Sequence, residues 1–143
     1  KVNGRKVRNF PVEEGYAVID RKWKKGDRVE LELPMDVRLV AGNSRIQDAQ
    51  GKVMIMRGPV VYCVEETDNA HYFEDPGKFR LDPSSPEAQY REGLLDGVIA
   101  VHATTSHADT GEEMNIMAIP YYAWCNREQG AMQVWLPYEE NND

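Results

Sequence analysis

The sequence predicts an all-β fold, an antiparallel β-sandwich of jelly-roll type or a partly open barrel. Three observations predict it. Apolar residues alternate, or run together, over strand-length stretches. Gly and Pro punctuate those stretches at short spacing. Only one short segment carries a helix-start signal. The 143 residues suffice for one domain with a real core. A chain of this size buries roughly 70% of its unfolded surface and needs no disulfide or metal staple.

Asn3-Gly4 is the strongest short hairpin-turn signal in the chain. Only Lys1 and Val2 precede it, and a two-residue strand cannot support a hairpin. The expectation is a fragment of a larger multidomain protein, entered within a strand. Residues 15–35, GYAVIDRKWKKGDRVELELPM, read as a second hairpin. Val29, Leu31, Leu33 and Met35 alternate with Glu30 and Glu32, which predicts one buried and one wet face. Ala17, Ile19 and Trp23 share a face of the first arm. The two apolar faces coincide if Trp23 lies opposite Asp27, leaving Lys24-Lys25-Gly26 as a three-residue loop with Gly26 at positive φ.

DVRLVAG at 36–42 and GKVMIMRGPVVYCVEE at 51–66 supply further strands. The continuous runs VMIM and VVYCV suit central strands covered on both faces. Residues 66–97 are rich in acids, Pro and Gly. They read as a long excursion with one short helix near Pro86–Arg91, capped by Ser85. VIAVHATTS at 98–106 returns to strand, and HADTGEE is a loop. MNIMAIPYYAWC and AMQVWLP read as two strands joined by NREQG. The predicted organisation is sandwich strands over 1–65, an excursion over 66–97, closing strands over 98–137 and a polar tail over 138–143.

The chain carries 17 Lys and Arg against 24 Asp and Glu, a net charge of −7. Residues 1–60 hold 13 of those cations and 8 of the acids. The cations are interspersed with acids and lack stacking aromatics, so a mixed-sign solvated surface is favoured over a polyanion-binding face. Neither nucleic acid nor a membrane is an expected partner. No apolar run of about 18 residues encodes a spanning helix, and no leader is visible. Because the sequence begins at Lys1, the compartment stays open between cytoplasm and periplasm or exterior.

Cys63 and Cys125 form no C-x-x-C pair, and no His sits at metal-ligand spacing from either. Core packing as small hydrophobes is the favoured reading, ahead of a disulfide or catalysis. Glu30 with Glu32, Glu65-Glu66 and Glu112-Glu113 are paired carboxylates of the kind that hydrolyse glycosidic bonds. Nothing marks them as desolvated, so surface solvation is favoured. His102, His107 and Asp109 cluster near a strand end without a strong metal motif. No catalytic residues, metal site or cofactor are expected.

IPYYAWCNREQGAMQVWLP, residues 119–137, is the densest stretch. Extended geometry would turn Tyr122 and Trp124 one way and Tyr121, Ala123 and Cys125 the other. Half of the rings would then line an outer face suited to stacking on sugars or partner residues. Asn126 and Arg127 at the following turn offer fork hydrogen bonds. The competing reading has the rings filling a core and Arg127 tying down a turn or domain interface. Tyr121, Tyr122, Trp124, Asn126 and Arg127 are thus the candidate carbohydrate- or interface-binding residues.

Three pieces in order carry a family resemblance: 15–35, 51–65 and 119–137. The first holds Trp23 with the Gly26-Asp27 turn. The second holds Arg57-Gly58-Pro59 before Tyr62-Cys63-x-Glu65. The last holds Pro120-Tyr121, Trp124, Asn126-Arg127 and the Met132-x-Val134-Trp135 pair. Together they resemble the C-terminal β-sandwich region of bacterial glycoside hydrolase family 127, the β-L-arabinofuranosidase-like family. Cys125 departs from the small residue more usual there. The family's catalysis implies an (α/α)-barrel with a Glu and a cysteine-rich zinc site whose adjacent-cysteine motif is absent here, so no catalytic role is carried over. The resemblance implies a non-catalytic accessory sandwich that packs against the catalytic (α/α)-barrel of its parent chain and stabilises it. A homodimer and a carbohydrate are further partners to weigh. The alternative is a carbohydrate-binding module using surface aromatics.

Overall fold

Residues 1–138 are described in this computed structural model; of the expected tail, 139–143 lie outside the described residues. The chain divides into two units, Lys1–Pro34 and Met35–Asp143.

In the first unit Asn3 and Gly4 take φ values of 50° and 74°. Val2 and Arg5 bond reciprocally across them at 2.8 and 3.0 Å, the two-residue turn that Asn-Gly favours. Val2 also bridges Val29. The Asn3 side chain fixes this register, donating to Asp27 Oδ1 and accepting from the Arg28 N–H, each at 2.8 Å. Strand β1 (Val12–Glu13) pairs with β2 (Tyr16–Ala17) around Glu14-Gly15. In the second hairpin the Asp27 N–H donates to the Lys24 carbonyl at 3.0 Å, with Gly26 at φ 92°. The positive φ is where the sequence places it. The register is one residue tighter than expected, with Lys24 rather than Trp23 closing the turn. No long ladder extends from it.

The alternating face expected to be buried is not. Val29, Leu31 and Leu33 are 56%, 80% and 68% exposed. The alternation is real, but 34 residues enclose too little volume to cover it.

The second unit is one antiparallel sheet that curls round its main core, sandwich-like in section. Its strands are β3 (Val37–Ala41), β4 (Lys52–Arg57), β5 (Val60–Glu65), β6 (Phe79–Leu81), β7 (Glu87–Arg91), β8 (Val98–His107), β9 (Glu113–Pro120), β10 (Met132–Gln133) and β11 (Leu136–Pro137). The path runs β11-β4-β5-β9-β8-β6. Tyr138, just past β11, bridges Leu81 of β6, so the two ends of the path meet. β3 pairs with the outer edge of β4, and β7 with β8.

β4 and β5 are joined by the Gly58-Pro59 turn and pair only beside it, Met56 with Val61 and Arg57 with Val60. Beyond that they fork. β10 pairs with β5 and β11 with β4, so the segment 132–137 fills the fork.

Inward residues alternate along the strands as half-buried sheets require. Val53, Ile55, Tyr62, Val64, Leu81 and Val101 are among the principal core residues. β5 is covered on both faces, as its continuous apolar run predicts. Cys63 packs on the far side from that core, with Ile119 and Ala123. β4 instead alternates, with Met54 and Met56 half-buried.

The stretch 66–97 is more regular than expected. Helix α1 spans Ala70–Glu74. Residues 87–91, read as helix from Ser85-Pro86, are strand β7 paired with β8. The Ser85 hydroxyl does not cap a helix but accepts the Thr104 N–H at 2.9 Å. Ladder bonds to β8 outweigh a weak local helix preference.

Leu81 is fully buried where the path closes. Leu81→Ala is expected to cost about 2–5 kcal/mol, read as a lower urea midpoint with an unchanged slope.

Candidate functional site

β9 ends at Pro120, and residues 121–123 form a single 3-10 turn. In such a turn residues three apart lie on one side. Tyr121 and Trp124 therefore stack, with centroids 6.0 Å apart and planes 26° from parallel. They are 45% and 40% exposed, and Tyr122 is 72% exposed. This corrects the expectation that Tyr122 and Trp124 share a face opposite Tyr121, which assumed extended backbone. Ala123 is the residue that turns inward.

Cys125 follows in the left-handed region at φ 59°. That bend aims its N–H at Glu65 Oε1, 2.8 Å away. Arg127 Nη2 donates to Glu65 Oε2 at 2.7 Å, and Nη1 to Asp68 Oδ1 at 2.8 Å. Nη2 also reaches Asp68 Oδ2. The hydrogen bond that the guanidinium donates to Asp68 is the largest influence holding its pKa above its ordinary value; burial opposes it and Glu65 adds to it. Arg127 is therefore committed to a tie between the loop and the end of β5, and its fork is not free for a ligand.

Glu65 is only 5% exposed, against the surface position expected for the Glu65-Glu66 pair. Its neighbour Glu66 accepts the Ala131 N–H at 2.9 Å. Asn69 completes the network: Nδ2 donates to the carbonyls of Glu65 and Met117 at 2.7 and 3.0 Å, and Oδ1 accepts the Met117 N–H at 2.8 Å. Sequence reasoning singled out Arg127 but not Asp68 or Asn69. The available signal was Glu65 itself, a carboxylate at the end of a strand buried on both faces.

Both cysteines are free. Cys63 packs as a small hydrophobe, and burial, then the Glu65 charge, pushes its thiol up to about 12. Cys125 is exposed, against the core position expected for it, because β9 has ended at Pro120 and the chain beyond the turn no longer alternates between core and surface. His107 Nδ1 accepts the N–H groups of Asp109 and Thr110 at 3.2 and 3.3 Å, while Asp109 pairs with Lys78 at 2.5 Å. His102 lies within β8, 3.5 Å from Arg91. Among the described residues no group of three or more His, Cys, Asp or Glu side chains is placed to hold a metal.

Asn126 has no hydrogen bond among the described residues. It borders a hollow of about 370 Å³ with Tyr122, Ala123, Leu95, Asp96 and Val98.

The geometry of 119–137 and the curled sheet behind it are matched by known proteins. The model of the glycoside hydrolase family 127 C-terminal domain matches residues 37–137. This chain belongs to glycoside hydrolase family 127. Its residues 1–35 match the β-L-arabinofuranosidase GH127 middle domain, so the two family domains meet where the two units divide. A non-reducing end β-L-arabinofuranosidase of Bifidobacterium longum subsp. longum is 37% identical over 132 residues, covering 77% of this chain and 20% of the relative. A crystal structure of a GH127 β-L-arabinofuranosidase from Geobacillus stearothermophilus T6 superposes with a TM-score of 0.85 at 35% identity. It covers 97% of this chain and 24% of that one. A second GH127 β-arabinofuranosidase gives 0.80 at 35% identity, covering 97% and 23%. The GH127 chain thus spans about a fifth to a quarter of the length of these relatives.

Arg127→Ala is expected to destabilise the second unit by about 3–5 kcal/mol, because it strands a buried carboxylate. Denaturant unfolding of this variant against Tyr121→Ala, which touches no charge, checks it. Iodoacetamide at neutral pH is expected to label Cys125 in the native protein and Cys63 only after unfolding, read by peptide mass.

Proposed function

We propose that this GH127 chain is a non-catalytic accessory region of a larger glycoside hydrolase, packing against the catalytic barrel of its parent and stabilising it. The observation that carries this reading is the uncovered apolar face of the first unit. Val29, Leu31 and Leu33 alternate as a buried strand face does, yet stand exposed, and Trp23 is 49% exposed. A face patterned for burial implies a partner surface. The relatives, four to five times longer, have room for one. On this reading the hydrolytic residues lie in the parent's barrel, and the parent cleaves L-arabinofuranosides.

A carbohydrate-binding role is the second reading. It is supported by the three exposed rings Tyr121, Tyr122 and Trp124 and weakened by the commitment of Arg127 to Glu65 and Asp68.

The isolated chain is expected to release no product from an aryl β-L-arabinofuranoside that the full-length parent hydrolyses. Leu31→Asp is expected to cost the parent about 1.5–3 kcal/mol, but to change the isolated chain by less than about 0.5 kcal/mol. Thermal unfolding of the four proteins decides it, and equal effects in both contexts would remove the interface. The isolated wild type is also expected to self-associate with rising concentration in sedimentation, and Leu31→Asp to suppress it.

A further inference from the structure

Tyr122 stands between two hollows. One is the 370 Å³ hollow toward Asp96 and Asn126. The other, about 340 Å³, is bordered by Arg57, Tyr62, Tyr90 and Gly97. The two hollows adjoin on the second unit, with Tyr122 and Val98 bordering both, and together make up a groove.

Its lining is amphipathic. Tyr90 and Tyr122 are 62% and 72% exposed and offer ring faces. The Tyr62 hydroxyl is engaged, donating to the Ile99 carbonyl at 2.9 Å, and Arg57 lies beside that phenol. Arg57 is half-buried at the end of β4 and has no carboxylate partner among the described residues. At the other end the exposed Asp96 carboxylate and Asn126 amide have no side-chain partner among the described residues. One cation, one anion and one amide leave the groove without net charge but with both donors and acceptors unspent.

The groove is also built at a conformational cost. Leu95, Asp96 and Gly97 take φ values of 50°, 58° and 99° in succession. Left-handed backbone at Leu is unfavourable, and such strain is retained where the surroundings over-determine it. It carries Asp96 to the groove. A Cβ on Gly97 would lie 2.4 Å from the Tyr90 hydroxyl, so a side chain there would push the exposed Tyr90 ring aside.

Exposed aromatic faces interleaved with donors and acceptors and no net charge match the chemistry of a neutral saccharide. Sugar C–H faces stack on rings, while hydroxyls both donate and accept. Asp96 and Asn126 are exposed, so their polar atoms stay open to the hydroxyls of a ligand, and a nucleic acid would meet Asp96 without a cationic cluster. We propose that this groove binds a saccharide chain non-catalytically, with Tyr122 as the central stacking ring, Arg57 at one end and Asp96 with Asn126 at the other. The choice of arabinose-containing glycan rests on the proposed parent activity; the groove itself does not.

The test uses the full-length parent and arabinotriose, with tyrosine nitration by tetranitromethane mapped by peptide mass. Tyr122 and Tyr90 are expected to react without sugar and to be protected several-fold by millimolar arabinotriose. Tyr16, exposed in the first unit, is expected to be unaffected. Asn126→Ala is expected to raise the arabinotriose concentration needed for half-protection of Tyr122 several-fold. Protection of Tyr122 no greater than that of Tyr16 would overturn the proposal. So would a Tyr122 that fails to react without sugar, since the rest of the parent would then cover the groove. Hydrolysis of an aryl β-L-arabinofuranoside by the same preparation is scored separately. Hydrolysis without protection rejects the groove and leaves the parent's activity standing. Protection without hydrolysis does the reverse.

Discussion

A carboxylate buried at the end of β5 is the constraint on which the closing third of the molecule depends. A charge withdrawn from water costs several kcal/mol unless it is paired and hydrogen-bonded. Glu65 meets that requirement with two groups distant in sequence, the Cys125 N–H and the Arg127 guanidinium. To deliver both, the chain must end β9 at Pro120, make one tight turn and bend left-handed at Cys125. The same residue pairs through its backbone with Met132. Glu65 thus sets both the shape of the loop and the point where the sheet resumes. Asp68 then anchors the second face of the arginine, so that the guanidinium is held by two carboxylates rather than aimed at solvent.

The position of this tie explains why the aromatic stretch behaves as it does. Tyr121 and Trp124 stack on each other, and Tyr122 is left to project alone. The alternation rule fails there because it describes extended chain, and the turn required by Glu65 is not extended. Rings that would have divided between a core and an outer face are instead gathered on a single turn.

What was legible in the sequence follows the range of the forces involved. The Asn3-Gly4 turn and the positive φ at Gly26 are local and appear where composition places them. The burial of β5 on both faces is read from five consecutive apolar residues. The strand at 87–91 was not legible, because its ladder partner lies beyond a loop and Pro86 after Ser85 imitates a helix start. The pairing of Glu65 with Arg127 could not be seen either, since nothing in periodicity links residues so far apart. The face of Val29, Leu31 and Leu33 was read correctly as apolar and incorrectly as covered. Alternation reports which side of a strand seeks burial, whereas cover depends on chain that must lie opposite. The family resemblance on Arg57-Gly58-Pro59 and Asn126-Arg127 reached the same domain that the family model matches. It could not say that those two arginines have opposite fates, one locked between carboxylates and one with none among the described residues.

The fork between β4 and β5 has a consequence for the order of assembly. Its two edges are filled only by residues 132–137, which leave the ribosome long after the strands that they complete. Until then the exposed edges and the core behind Val53 and Val64 stay open, and non-local pairings of this kind form slowly. A nascent chain therefore passes through an interval in which most of its sheet has been synthesised but cannot close. In that interval unpaired strand edges are available to any neighbouring polypeptide, and chaperone capture competes with aggregation.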